Sequence, residues 1–264
     1  MVATSASHSP GNDAGVDSGS APVREPVREP VLEVDSATVS PLWQDLDFSI
    51  YPGEFVAVLG SNGVGKSTLL SAILGTRKLD RGHITTHGNI GYIPQQRMFD
   101  PDLPMRVRDL VYLAAHSSKQ GKRTHTDSLQ QQVTAAIEAV GAQGIASRRV
   151  GSLSGGQQQL VRQAQALVTN PRLLLCDEPL LSLDPATARQ AVDLIAAQAK
   201  QGVAVIFVTH GINPILQCCD RVLYLTPHAH RIGTVAEIMT SETLSELYQT
   251  EITVAEVAGK LVIV

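Results

Sequence analysis

The rhythm of apolar and polar positions changes along the chain, and each change marks an element. Leu32-Glu33-Val34-Asp35 and Leu46-Asp47-Phe48-Ser49-Ile50 alternate, as strands with one buried face do. Tyr51-Pro52-Gly53-Glu54 then turns the chain into an unbroken apolar run, Phe55-Val56-Ala57-Val58-Leu59, the pattern of a strand buried on both faces. Further strand-like pieces occupy residues 84–93. From about residue 104 to 150 the period becomes helical: Val107, Leu110, Val111 and Ala114 share one face, and Val133, Ala136, Ile137 and Val140 another, with a polar joint at residues 117–128. Residues 158–168 continue helically with Leu160, Val161, Ala164 and Leu167 on the apolar side. Continuous apolar runs return at residues 173–176 and 204–208, followed by a strand at 221–225, a short helix at 243–248 and a closing strand at 260–264. The succession predicts an α/β fold with a mainly parallel sheet, an antiparallel β cap and an inserted helical lobe over about residues 97–165.

Chemistry enters at the end of the first buried strand. Gly60, Ser61, Asn62, Gly63, Val64, Gly65, Lys66, Ser67 and Thr68 contain G-x-x-x-x-G-K-[ST], between an apolar strand and a helix whose apolar residues follow from Leu69 to Leu74. That context makes it a P-loop and the sheet a P-loop NTPase core. The glycines let backbone N–H groups wrap a phosphate, the helix N-terminus adds positive potential, Lys66 reaches the β- and γ-phosphates, and the Ser67 hydroxyl ligates Mg²⁺. The ligand this predicts is a nucleoside triphosphate with Mg²⁺.

Two later buried strands deliver polar groups to their C-terminal ends, where open α/β sheets bind ligands. Leu173-Leu174-Leu175-Cys176 ends in Asp177-Glu178-Pro179, and Ala204 to Val208 in Thr209-His210. Beside a metal-bound triphosphate, Asp177 is suited to hold Mg²⁺ through a water and Glu178 to polarise the attacking water. Gly91-Tyr92-Ile93-Pro94-Gln95 sets the Gln95 amide at a loop edge. Leu153-Ser154-Gly155-Gly156-Gln157 opens the helix at residues 158–168, and a Ser with two Gly at a helix start makes a second anion-binding terminus.

Composition narrows the partners. Lys and Arg total 21 against 25 Asp and Glu, a net charge of −4, so the basic excess that binds a nucleic-acid backbone is missing. Cys176, Cys218 and Cys219 form no metal-like or disulfide framework, which points to a reducing compartment. No apolar run is long enough to span a bilayer. Residues 1–30 are rich in Ser, Ala, Gly and Pro and end in Pro22-Val23-Arg24-Glu25-Pro26-Val27-Arg28-Glu29-Pro30; they are expected to be a disordered tail, with the folded domain over 31–264. His228 and His230 supply only half of a tetrahedral metal site.

The P-loop, the Pro-Gln turn, Leu-Ser-Gly-Gly-Gln, apolar-Asp-Glu-Pro, Ser182-Leu183-Asp184 and the strand-end His follow one another in an order that resembles an ABC-transporter ATPase subunit over residues 31–264. The resemblance implies a second copy of the chain in an ATP-sandwich dimer, with Gln95 meeting Mg²⁺ and the attacking water, His210 the γ-phosphate, and Asp184 bridging the subunits. It implies that Ser154, Gly155, Gly156 and Gln157 of one copy face the ATP held by the other. It further implies an integral membrane permease, an extracytoplasmic substrate-binding protein reached through that permease, and a peripheral place on the cytoplasmic face of the membrane. The lobe after Gln95, with Phe99, Leu103 and Met105, is the expected docking surface. The chain departs from the family where Ala37-Thr38-Val39-Ser40-Pro41 lacks an aromatic residue to stack on adenine, where Leu160 and Gln165 stand in place of Arg, at Leu180-Leu181, and at Gly211. Trp43 is expected in the core. Residues 95–107 and 233–248 look similar to ATPases of manganese, zinc or iron importers; an importer of chelated iron or another solute, or a soluble ABC-type ATPase, is the alternative.

Overall fold

The computed structural model describes residues 29–95, 98–117, 126–227 and 229–263. Residues 1–28 of the expected tail, Gln96 and Arg97, residues 118–125 of the polar joint, His228 and Val264 lie outside the described residues.

Strand β1 (Leu32–Val39) pairs antiparallel with β2 (Trp43–Ile50), and β3 (Phe55–Gly60) leads through the P-loop into helix α1 (Lys66–Ile73). The chain then returns as β4 (Arg81–Thr86) to the other edge of β1, completing a three-stranded cap in the order β2-β1-β4. The strand-like residues 84–93 therefore split between two sheets, because β5 (Ile90–Ile93) pairs with a strand of the other layer. β1 also runs past Asp35, through an irregularity at Ser36, whose φ is 46°. A half-buried alternation cannot show that continuation, since the bulge shifts which face each side chain takes.

Helices α2 (Val107–Ser117), α3 (Thr126–Ala139) and α4 (Gly155–Leu167) follow before β6 (Leu173–Asp177). They pack around their own apolar cluster of Val107, Val111, Ala115, Val133, Ala136, Ile137, Val140, Val161 and Ala164. On α2 the buried row is Val107, Val111 and Ala115, while Leu110 and Ala114 are half-buried, so the face is rotated from the expected one. Phe99, Leu103 and Met105 pack against this cluster rather than projecting from it. They are half-buried, and the exposed apolar residue of this stretch is Met98, 62% accessible.

Next come α5 (Pro185–Lys200), β7 (Ala204–Val208), β8 (Arg221–Leu225), β9 (His230–Thr234), α6 (Val235–Ile238), α7 (Ser241–Tyr248), β10 (Val254–Val257) and β11 (Lys260–Ile263). The second sheet has the order β5-β6-β7-β3-β8-β9, parallel except for β9. Its central strands are buried along their whole length, as a sheet covered on both faces requires. Phe55 and Phe207 stack across β3 and β7 with centroids 5.6 Å apart and almost no exposure, each burial contributing about 1.5–3 kcal/mol. The closing strand does not join this sheet; β10 and β11 form a separate hairpin. Among the described residues, no helix is long and apolar enough to cross a membrane.

Candidate functional site

The parallel strands place four motifs at one edge of the sheet. Gly60 ends β3 with a φ of 144°, and a Cβ there would stand 2.2 Å from the Leu225 carbonyl oxygen, so the loop can leave the strand only with glycine. Ser61, Asn62 and Gly63 form an exposed tip, Val64 is buried beneath it, and Gly65, with a φ of 98°, precedes the first turn of α1, which holds Ser67 and Thr68. A Cβ on Gly65 would come within 2.8 Å of the Trp43 indole nitrogen. That indole is 5% exposed and donates to the Gly65 carbonyl at 3.4 Å. Trp43 is a core residue propping the loop, as the sequence led us to expect.

Lys66 is buried, and its ammonium donates to the carbonyls of Gly60 at 2.8 Å and Ser61 at 3.0 Å. Burial pulls its pKa below the ordinary lysine value, while the carboxylates of Glu178 and Asp177 pull it back. The Ser67 hydroxyl donates to Asp177 Oδ1 at 3.1 Å across 110 positions of sequence. Burial raises Asp177 above the usual carboxylate range; the Ser67 hydrogen bond lowers it, Glu178 raises it further, and Lys66 lowers it.

Glu178 follows β6 in a left-handed conformation, φ 47°, with its N–H donating to the Val208 carbonyl at 3.1 Å. A non-glycine residue there carries backbone strain. The turn aims the carboxylate between two side chains: Oε1 lies 2.7 Å from His210 Nε2, and Oε2 accepts from Gln95 Nε2 at 3.3 Å. An ionised carboxylate only accepts, so His210 donates from Nε2. Gln95 spends its N–H on Glu178, leaving its carbonyl oxygen as the donor atom for a metal. Ser67 Oγ, the Gln95 carbonyl and, through a water, the Asp177 carboxylate offer oxygen atoms of the kind Mg²⁺ accepts. Among the described residues no cluster of three or more His, Cys, Asp or Glu side chains could hold a metal, so the expected Mg²⁺ donors are of mixed type.

Ser154 caps α4 with a capping box, its Oγ accepting from the Gln157 N–H at 3.4 Å and the Gln157 Oε1 accepting from the Ser154 N–H at 3.2 Å. Ser154, Gly156 and Gln157 border a cavity of about 190 Å³ with Thr187 of α5. They stand with the start of α5, and among the described residues the Ser154 and Gln157 side chains bond to each other's N–H groups, and Gln157 also to Arg148. Asp184 caps α5 by accepting from the Ala186 and Thr187 N–H groups, each at 3.1 Å. The sequence reading missed this helix. Its signals were present in Asp184-Pro185 as cap and first residue and in Ala191, Val192, Ile195 and Ala199 at helical spacing. It also missed a cavity of about 330 Å³ between the β1–β2 turn and the β8–β9 turn, lined by Pro41, Leu42, Trp43, Gln44, Thr226, Pro227, Ala229 and His230. Nothing in the local pattern announces a cavity built from segments this far apart.

Comparison with known proteins agrees with this geometry. The ABC transporter family model matches residues 43–181. The zinc import ATP-binding protein of Ruegeria sp. is 34% identical over 212 residues, covering 79% of this chain and 81% of that protein. The manganese transport system ATP-binding protein of Bacillus subtilis is 31% identical over 233 residues, 82% of this chain and 92% of its own. Among solved structures, a metal-chelate type ABC transporter in an inward-facing conformation superposes with a TM-score of 0.78 at 29% identity, covering 89% of this chain and 96% of that one. With the P-loop, the Glu178 cluster and the Ser154 helix start in one fold, the chain belongs to the ABC transporter family and is one of its ATP-hydrolysing, ATP-binding subunits.

Proposed function

We propose that the protein energises import of a transition-metal cation, manganese, zinc or iron, through a separate membrane permease. The observation that carries the chemistry is the pair of contacts holding Glu178, 2.7 Å from His210 and 3.3 Å from Gln95, beside the Ser67–Asp177 pair. Gly60 to Gly65 wrap the phosphates of ATP, and Lys66 leaves the loop carbonyls for the β- and γ-phosphates. Ser67, Gln95 and Asp177 hold Mg²⁺, which when bound neutralises charge on the phosphates. Glu178 takes the proton of the attacking water as its oxygen bonds to the γ-phosphorus and the bond to the bridging oxygen breaks, giving ADP and phosphate. His210 orients Glu178 and contacts the γ-phosphate.

Ser154 and Gly156 stand with the start of α5, and a second copy supplies them, with Gly155 and Gln157, to each ATP, while Asp184 bridges the pair. The energetic reason is that one copy offers too few donors for the charge developing on the γ-phosphate. ATP binding closes the dimer and hydrolysis opens it, which drives the permease between two states. The protein then works as a peripheral subunit at the cytoplasmic face, with an extracytoplasmic binding protein delivering the ion. No role with nucleic acid follows from a chain of net charge −4.

The cation class rests on the zinc and manganese relatives. A second reading, import of a chelated metal, is favoured by the metal-chelate transporter among the structural neighbours. Uptake of radioactive manganese, zinc and iron in a strain lacking the chain, and lacking redundant importers, separates the two. Loss of uptake of one ion, restored by the wild-type chain and not by Glu178→Gln, is the expected result. Normal uptake of all three refutes the cation assignment, and lost uptake of a chelate then selects the second reading.

A further inference from the structure

The two elements assigned to the partner's nucleotide, the Ser-Gly-Gly start of α4 and Asp184 before α5, meet within one chain at a single side chain. The Thr187 hydroxyl donates to Asp184 Oδ2 at 2.6 Å, while Oδ1 is occupied by the Ala186 and Thr187 N–H groups. The Thr187 methyl faces α4, where a Cβ built on Gly156 would come within 2.8 Å of it. Hydroxyl and methyl leave the same Cβ, so one rotamer of Thr187 serves both contacts. The hydroxyl is also the first cause holding the Asp184 carboxyl below its ordinary value.

Apolar contact joins the helices away from their starts: Ala166 of α4 shares the cluster under the main sheet with Val192 and Ile195 of α5, and Leu194 of α5 packs against the lobe cluster of Val161 and Ala164. Between the helix starts lies the cavity of about 190 Å³. Gln159 borders it, 1% exposed, with neither of its amide atoms hydrogen-bonded among the described residues. Further along, the helices are joined by a 3.4 Å hydrogen bond from Gln163 to the Ala191 carbonyl. At the helix starts, beside the open cavity and the unpaired Gln159 amide, the Thr187 methyl and hydroxyl link the Gly156 turn of α4 to the Asp184 cap of α5.

We propose that Thr187 is a positioning residue for the composite ATP site, locking Asp184 to the Ser154–Gly156 turn so that one copy presents both to its partner as a single rigid unit. This rests on the reading that Ser154, Gly156 and Asp184 serve the partner's nucleotide. Thr187 lies on neither the P-loop nor the Glu178 turn, so ATP binding by a single copy does not depend on it.

The test uses the full chain in a Glu178→Gln background with Mg-ATP, reading dimerisation by sedimentation and ATP affinity with a fluorescent analogue. Thr187→Val keeps the branched shape and loses the hydroxyl; Thr187→Ser keeps the hydroxyl and loses the methyl. Thr187→Val is expected to weaken ATP-driven dimerisation roughly tenfold, as loss of a hydrogen bond to a charged group does, and Thr187→Ser to weaken it through the lost methyl contact, each with analogue affinity within about twofold of the parent. In chains that retain Glu178, the protein concentration for half-maximal turnover should rise while kcat at saturating protein holds. Both variants dimerising as tightly as the parent overturns the proposal alone. Analogue binding and melting temperature falling in step with dimerisation overturns it in favour of a merely structural role. A parent that stays monomeric in saturating Mg-ATP overturns the composite site and this proposal with it.

Discussion

Replacing Glu178 by Gln is the sharpest test of the chemistry, because the substitution keeps the shape of the side chain and removes its ability to take a proton. In the native site Oε1 lies 2.7 Å from His210 Nε2 and Oε2 3.3 Å from Gln95 Nε2, so both oxygens act as acceptors. A Gln offers one acceptor and one donor; one of the two contacts becomes donor facing donor, at a cost of about 1 kcal/mol to the local geometry. The larger loss is catalytic. A general base contributes about 10²–10⁴-fold, and at 1.36 kcal/mol per tenfold this places the added barrier near 2.7–5.4 kcal/mol. Binding should survive, since the variant removes a negative charge from the neighbourhood of the triphosphate and leaves the Lys66 cradle intact. Phosphate release at saturating Mg-ATP, with fluorescent ATP titration as the binding control, separates the two effects. Lys66→Ala is the converse control: it removes a charged contact worth about 1.5–3 kcal/mol and so weakens binding itself by roughly 10- to 100-fold. A Glu178→Gln protein with a kcat within about tenfold of the wild type would refute the assignment of Glu178 as base.

Two further outcomes follow from burial. Asp177 has its pKa raised in the fold, first by desolvation, so as pH rises above the ordinary carboxylate value the unfolded chain loses its proton before the folded one. Stability is therefore lost as pH rises through the window between the two pKa values and is not regained above it. Asp177→Asn should melt higher than wild type at neutral pH without nucleotide or Mg²⁺, with the gain shrinking as pH falls towards the ordinary carboxylate value; no gain in a melting scan contradicts the burial argument. The second outcome concerns the base. With Trp43 buried against Gly65 and no aromatic residue among residues 37–41, the roughly 1–3 kcal/mol of a stacked ring is missing, and competition binding should show less than about a hundredfold preference for ATP over GTP. A larger preference would implicate Trp43 or His230, whose rings both line the cavity beside the β1–β2 turn.

What the sequence by itself determined is everything built from consecutive residues. The P-loop was legible because strand, glycines, Lys66 and helix adjoin, and the buried strands β3, β6 and β7 because continuous apolar runs have no other use at that length. The Ser154 capping box spans four residues and needs no tertiary partner to form. Tertiary structure decided the rest. The return of β4 to the free edge of β1, and of β10–β11 to each other rather than to the main sheet, depended on which edges were left unpaired, a property of the assembled sheets and not of any window of sequence. The face of α4 was read imperfectly for a related reason: Gln158, Gln159, Arg162 and Gln163 are buried, and periodicity counts such residues as solvent-facing. Gln158 is held by hydrogen bonds to Phe99, Val150 and Leu153, and the Arg162 guanidinium lies 4.3 Å from the Phe99 ring centroid, partners that only the fold supplies. The same holds at the site itself. The sequence put Glu178 and His210 at strand ends; the parallel pairing of β6 with β7 and the left-handed turn at Glu178 brought them to 2.7 Å, because hydrophobic patterning records which residues leave water and not which strand lies beside which.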